Sequence, residues 1–233
     1  MTARPAPSSL PDRVRRRWLS GLMSLGLALS AALAAAPAGA TTHFRIDSVA
    51  SCQQFLTAMG ANLGTAAPGR CDAMSEGSEI HLPAGASLTV ARGWRLSIRS
   101  VVFFNEGRIT NFGTFSAIYD VVNNVGDARF VNHGKVVVQT GSAFNLSDDA
   151  LFVNKRGARV DANVFWDGAT AVNRGTIRTP RLVVADWYDA VLENRGRILI
   201  TCGGSASGPV TGRQPVLLPC HPCSKHPVPT PTS

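Results

Sequence analysis

Between residues 72 and 201 the sequence has no cysteine. All five lie outside that stretch, as Cys52 and Cys71 before it and Cys202, Cys220 and Cys223 after it. This excludes a disulfide scaffold for the middle of the chain and leaves one bridge in each flank, with one Cys over. Cys52 pairs with Cys71 on this reading, and Cys202 with either Cys220 or Cys223. Long apolar runs are also scarce. Only residues 19–36 form one, so no second segment reaches bilayer-spanning length. Helical periodicity is nearly absent too, and the only segment that reads as a helix lies around residues 49–59.

The single apolar run belongs to a leader. Arg13, Arg15, Arg16 and Arg17 precede it, and Ala38-Gly39-Ala40 supplies the small-x-small pattern that a signal peptidase reads. The expectation is a signal peptide over 1–40, cleaved before Thr41, and a secreted, periplasmic or cell-surface protein. No Cys stands at the cleavage point to carry a lipid. The leader holds five Arg and one Asp, which accounts for half of the net charge of +8. The remainder has the length of one domain. It divides into an N-terminal cap with a disulfide (41–83), a repeat region (84–202) and a C-terminal cap with a Pro-rich tail (203–233).

What the middle does have is a repeat. Asp127-Ala-Arg-Phe-Val-Asn132-His-Gly134 returns as Asp149-Ala-Leu-Phe-Val-Asn154-Lys-Arg-Gly157. It returns again around Asn173-Arg-Gly175 and as Asp189-Ala-Val-Leu-Glu-Asn194-Arg-Gly196, with an earlier copy at Asn111-Phe-Gly113. The five Asn are spaced by 21, 22, 19 and 21 residues. A period near 20 means a solenoid, in which each unit buries its face against its neighbours. Within each unit the period is two. Ala128, Phe130, Asn132, Gly134, Val136 and Val138 form one face of half-buried strands.

Leucine-rich repeats share the period, but their Leu-x-x-Leu-x-Leu run is missing. The Asn-x-Gly-x-Ile/Val repeats between Ile80 and Cys202 instead resemble those of the right-handed parallel β-helix, the architecture of the pectate-lyase-like superfamily and of many bacterial surface adhesins. The resemblance implies an all-β solenoid of about five to six coils with a small N-terminal cap. It is specific for architecture and not for function.

Stacked coils bring equivalent residues about 4.8 Å apart. Asn111, Asn132, Asn154, Asn173 and Asn194 are therefore expected to form an internal amide ladder, each bonding to its neighbours above and below. The Gly two residues on leaves room at the bend and tolerates unusual dihedrals. In the third copy an extra residue precedes Gly157. Either a bulge absorbs it or Arg156 takes the Gly position.

Function must then be sought among the outward residues. One residue after each Asn stand Phe112, His133, Lys155, Arg174 and Arg195. Lys135 and Arg197 stand three after, and Arg159 and Arg178 five after. In register these form a basic stripe suited to an anionic polysaccharide or another cell-envelope polymer. The structural alternative is a solvated face that keeps the sheet soluble.

Asp127, Asp149, Asp167 and Asp189, with Asp148 alongside, recur before the strands. β-Helical lyases and hydrolases use clustered carboxylates, with Ca²⁺ in some, so Asp149, Asp167 and Asp189 are the candidates if the chain is an enzyme. The ordered acid, Gly-His-Gly and Arg-x-Lys pattern of polygalacturonases is absent, and turn-forming Asp is the plainer reading. No cofactor or metal is otherwise implied. Trp166, Trp187 and Tyr188, beside these acids, are candidates for stacking on sugars. Cys220-His-Pro-Cys223 has metal-like spacing but lies in a Pro-rich tail, where a structural disulfide is the expectation. The oligomeric state is not readable.

Overall fold

The computed structural model describes residues 42–75, 79–99, 102–118, 121–139, 143–185 and 189–220. The leader, Trp187, Tyr188, Cys223 and the tail after Cys220 lie outside the described residues.

Alternating apolar and polar residues make short strands, and the recurring turns return each strand to lie beside the equivalent strand of the previous copy. The product is a parallel β-solenoid of about six turns. Each full turn has three faces. The first face stacks β1 (His43–Ile46), β5 (Ser87–Val90), β8 (Arg108–Asn111), β11 (Arg129–Asn132), β14 (Leu151–Asn154), β17 (Thr170–Asn173), β19 (Val191–Asn194) and β21 (Thr211–Gly212). The second stacks β3 (Arg70–Met74), β6 (Arg95–Arg99), β9 (Thr114–Ala117), β12 (Lys135–Val138) and β15 (Arg159–Asp161). The third stacks β4 (Ile80–Leu82), β7 (Val102–Asn105), β10 (Val121–Asn124), β13 (Ala143–Ser147) and β16 (Asn163–Asp167).

Two longer strands, β18 (Thr176–Ala185) and β20 (Arg197–Ser207), run through the corner and serve the second and third faces in turn. β2 (Thr65–Ala67) pairs antiparallel with β3, and β22 (Val216–Leu217) continues the second face below β20. Parallel stacking thus runs from His43 to Leu217, wider than the repeat region at 84–202 read from the motifs.

The interior is a continuous apolar column. Phe103, Phe115, Phe130, Phe144, Phe152 and Trp166 come from all three faces and touch in sequence, with ring centroids 5.1–6.2 Å apart along the series. Such edge-on and tilted contacts are those aromatic quadrupoles favour.

At the N-terminal end, α1 (Val49–Ala58) is inserted after β1. Ser48 and Ser51 close a reciprocal capping box at its start. Its buried face is Cys52, Phe55 and Leu56, Phe55 meets Phe44 edge-on, and Cys52–Cys71 ties the helix to β3. At the other end Cys202 pairs with Cys220, which settles the choice that the sequence left open. Among the described residues no helix is long and apolar enough to cross a membrane.

Candidate functional site

The Asn ladder sets the register of everything outside it. Asn111 donates to Asn132, Asn132 to Asn154, Asn154 to Asn173 and Asn173 to Asn194, each Nδ2 to Oδ1 at 2.8–2.9 Å. All five are buried. Each of the first four also donates to a backbone carbonyl at the start of the second face of the next turn, as Asn132 does to Arg159. The oxygens of Asn132, Asn173 and Asn194 accept from the Gly two residues on. Above Asn111 stands Val90, which has nothing to donate, and the Asn111 Oδ1 is left without a partner. Apart from that oxygen, these buried amides are occupied by one another and by the backbone, so their role is to hold the fold. A second, shorter ladder on the third face joins Asn105 to Asn124 at 2.8 Å. Both of its Asn belong to Asn-x-Gly sequences, Asn105-Glu-Gly107 and Asn124-Val-Gly126, and the ladder stops there because Leu146 takes the equivalent place at the next turn.

The corner between the first and second faces carries the residue after each ladder Asn. Backbone bonds run Phe112→Val90, His133→Asn111, Lys155→Asn132, Arg174→Asn154, Arg195→Asn173 and Arg213→Asn194, so these six residues form one column. Phe112 and His133 stack face to face at 4.7 Å. Below them come four cations in succession. The motif does not point to Arg213, because the last turn keeps the backbone register but has neither Asn nor the Asn-x-Gly signature. Burial, and secondarily the Lys155 ammonium, lower the His133 pKa from its ordinary 6.5.

Beside the column, the first outward position of the second face reads Arg95, Thr114, Lys135, Arg159, Thr176, Arg197. Arg159 therefore aligns with Lys135 and not with Arg178, as counting from the Asn suggests. The reason is the third-copy corner. Lys155-Arg156-Gly157-Ala158 is a turn closed by Ala158 N–H to Lys155 O, with Gly157 at φ 81°. Ala158, not Arg156, takes the place of the motif Gly and stays inward, as does Val160. Arg178 instead aligns with Asp161 at the next outward position.

Acids offset part of this charge. Asp161 accepts from Arg159 at 2.8–2.9 Å and lies 3.8 Å from Lys135, and Arg195 pairs with Glu193. Among the described residues Lys155, Arg174, Arg178 and Arg197 have no acidic partner.

The candidate acids are elsewhere. Asp149, Asp167 and Asp189 sit at the corner between the third and first faces, as do Asp127 and Asp148. That corner is one strand of four residues, about 13 Å, from the basic column. Asp148 and Asp189 adopt φ of 56° and 55°, the left-handed conformation that suits a turn Asp, and Asp148 accepts from the Gly126 N–H. Among the described residues no three His, Cys, Asp or Glu converge on a point where a metal could bind. Trp166 is 1% exposed and packs on Phe152, so its ring belongs to the core and not to a sugar surface. Periodicity already hints at this, since Trp166 alternates in phase with Val164.

Face two ends in a groove of about 640 Å³ lined by Arg159, Asp161, Asn163, Arg178 and Thr201. Comparisons with family models, curated proteins and solved structures returned no match.

Proposed function

We propose that this chain is an exported, surface-associated β-solenoid that binds an anionic polymer, with acidic polysaccharide the first candidate, and that it acts by retention without turnover. The pectate-lyase-like architecture and the adhesin-type use of Asn-x-Gly repeats are part of the same proposal. One observation carries it. Lys155, Arg174, Arg195 and Arg213 stand in register at one corner, at a repeat of about 4.8 Å. Lys135, Arg159 and Arg197 run parallel to them on the adjoining face. A row of like charges that close is costly unless something of opposite sign lies along it, and a linear polyanion matches its shape. The acids lie on a different corner, so the reading does not need them.

The test is retention on heparin resin against a salt gradient. The Lys155→Ser, Arg174→Ser, Arg195→Ser triple variant is expected to elute at clearly lower salt than the parent chain, since each cation removed lowers the number of counterions released. Elution at an unchanged salt concentration overturns the proposal.

A further inference from the structure

The outward side of the third face differs from the rest of the surface. A sheet open to water ordinarily carries charge. Here the first two outward positions of four successive strands carry none. They are Val102 and Phe104 on β7, Val121 and Asn123 on β10, Ala143 and Asn145 on β13, and Asn163 and Phe165 on β16. Strand register lines them up in two rows. One row runs Val102, Val121, Ala143, Asn163, and the other Phe104, Asn123, Asn145, Phe165. Neighbours within a row therefore stand about 4.8 Å apart.

The lower half of this platform is recessed. Ala143 is the smallest residue of its row, between Val121 and Asn163. A hollow of about 410 Å³ opens there, lined by Ala143, Asn145, Asn163, Phe165, Arg181 and Val183. The Phe165 ring is 36% exposed. Arg181 stands at the lower rim, one residue before the Leu182 that pairs with Val164.

The polar groups are fixed and incompletely used. Asn145 Nδ2 donates to Asn123 Oδ1 at 2.9 Å, and Asn124 Nδ2 donates to the Asn145 backbone carbonyl. Among the described residues this leaves the Asn123 Nδ2 and the Asn145 Oδ1 without a partner. One amide thus offers a donor and its neighbour an acceptor. A sugar hydroxyl both donates and accepts, and the apolar side of a pyranose suits an exposed ring. At the other end of the row Phe104 is half-buried and stacks on His81. A polyanion would find no cation on these four strands.

Size argues in the same direction. Four strands about 4.8 Å apart and four residues long give a platform of roughly 250 Å². A stable protein partner needs about 800 Å² from each side, so a second copy of this chain is poorly served, whereas a single narrow chain fits.

We infer that the third face is a binding site for an uncharged glycan, with one pyranose seated in the hollow against Phe165, hydroxyls on the Asn123–Asn145 pair, and the chain directed up the row toward Phe104. The site is separate from the basic column and does not depend on it.

The experiment titrates the full chain with two neutral glucan hexasaccharides, one β-1,4-linked and one α-1,4-linked, by calorimetry and saturation-transfer NMR. Saturable binding of at least one is expected, with transfer from Phe ring protons. Its affinity should stay within about twofold between about 0.05 M and 0.5 M NaCl, since no ion pair is made. Phe165→Ala and Asn145→Ala should each weaken it about fivefold. Ala143→Lys fills the hollow without removing any contact group and should abolish it. Arg181→Gln and the Lys155→Ser, Arg174→Ser, Arg195→Ser variant should bind as the parent does. All of these replace side chains that face outward, and parent-like thermal unfolding checks each fold. Failure of both hexasaccharides to bind overturns the inference. So does binding that survives both Phe165→Ala and Ala143→Lys, and so does binding that falls with salt or with the column variant, which would place the glycan on the cations. A parent chain that sediments as a dimer while Ala143→Lys is monomeric also overturns it, and would give this face to a second copy.

Discussion

At the residue scale, the motif Gly is selected by space and not by backbone freedom. A Cβ on Gly134 would stand 2.1 Å from the Gly113 carbonyl oxygen, and one on Gly196 would stand 2.1 Å from that of Gly175. Neither glycine has a positive φ. Of the two roles expected for these glycines, room and unusual dihedrals, only room applies. Gly126 is the opposite case, with φ 58° and nothing within 4 Å of where its Cβ would stand. The two kinds separate by experiment. Gly134→Ala must push one turn off the next and is expected to cost about 3 kcal/mol in urea unfolding, in the range of overpacked cores. Gly126→Ala meets only left-handed strain and should cost about 1 kcal/mol. Equal costs would contradict this division.

At the scale of the element, the corner column acts as a unit, and His133 shows it. The imidazole is held between Phe112 on one side and Lys155 on the other. Its pKa lies below the ordinary 6.5, first from burial and then from the ammonium. The folded chain thus binds this proton less tightly than the unfolded chain does. The associated stability is present above the ordinary histidine pKa and is lost as pH falls toward the lowered value. A polyanion docked on the column reverses the Lys155 effect, so docking should draw a proton onto His133. Retention on heparin resin is accordingly expected to strengthen as pH falls through and below the ordinary histidine range. His133→Gln should flatten that rise while leaving retention at about pH 8 unchanged. A rise that survives the substitution would assign the effect to other groups.

Elements also explain where the charges ended up. Each turn has a corner of its own for bases and another for acids, because the residue after the ladder Asn and the residue before the next strand leave the coil at different places. In sequence the two are interleaved every ten residues or so. In space they are separated by the width of one face.

At the scale of the molecule, stacking turns local preferences into long-range order. A solenoid's stability is close to a sum of unit and neighbour terms, and here the turns from Lys155 to Arg213 repeat a cation-over-cation contact at one corner. The spacing of about 4.8 Å is shorter than the Debye length of about 10 Å at 0.1 M salt, so these charges repel through dilute buffer. The thermal midpoint should therefore rise between about 0.05 M and 0.5 M NaCl, and the Lys155→Ser, Arg174→Ser, Arg195→Ser variant should rise less. A parent chain indifferent to salt would show that the column is not under electrostatic load.

Periodicity by itself determined the architecture. The alternation in Ala128–Val138, the recurrence of Asn-x-Gly and the lack of helical period dictate strands that stack, and the ladder from Asn111 to Asn194 was legible because buried amides need partners of their own kind. The Cys52–Cys71 bridge and the helix near residue 49 were legible for similarly local reasons. The structure alone decided what depends on corner length. Two extra residues after Asn154 realigned Arg159 with Lys135. Register alone brought Arg213 into the column. The one-residue corners at Ala162 and Pro180 set Asp161 and Arg178 on one groove and Phe165 and Arg181 on a separate hollow of the next face. Alternation fixes which way a side chain points along a strand. Which residues of successive turns become neighbours depends on how much chain each corner consumes, and that is settled only when the turns pack.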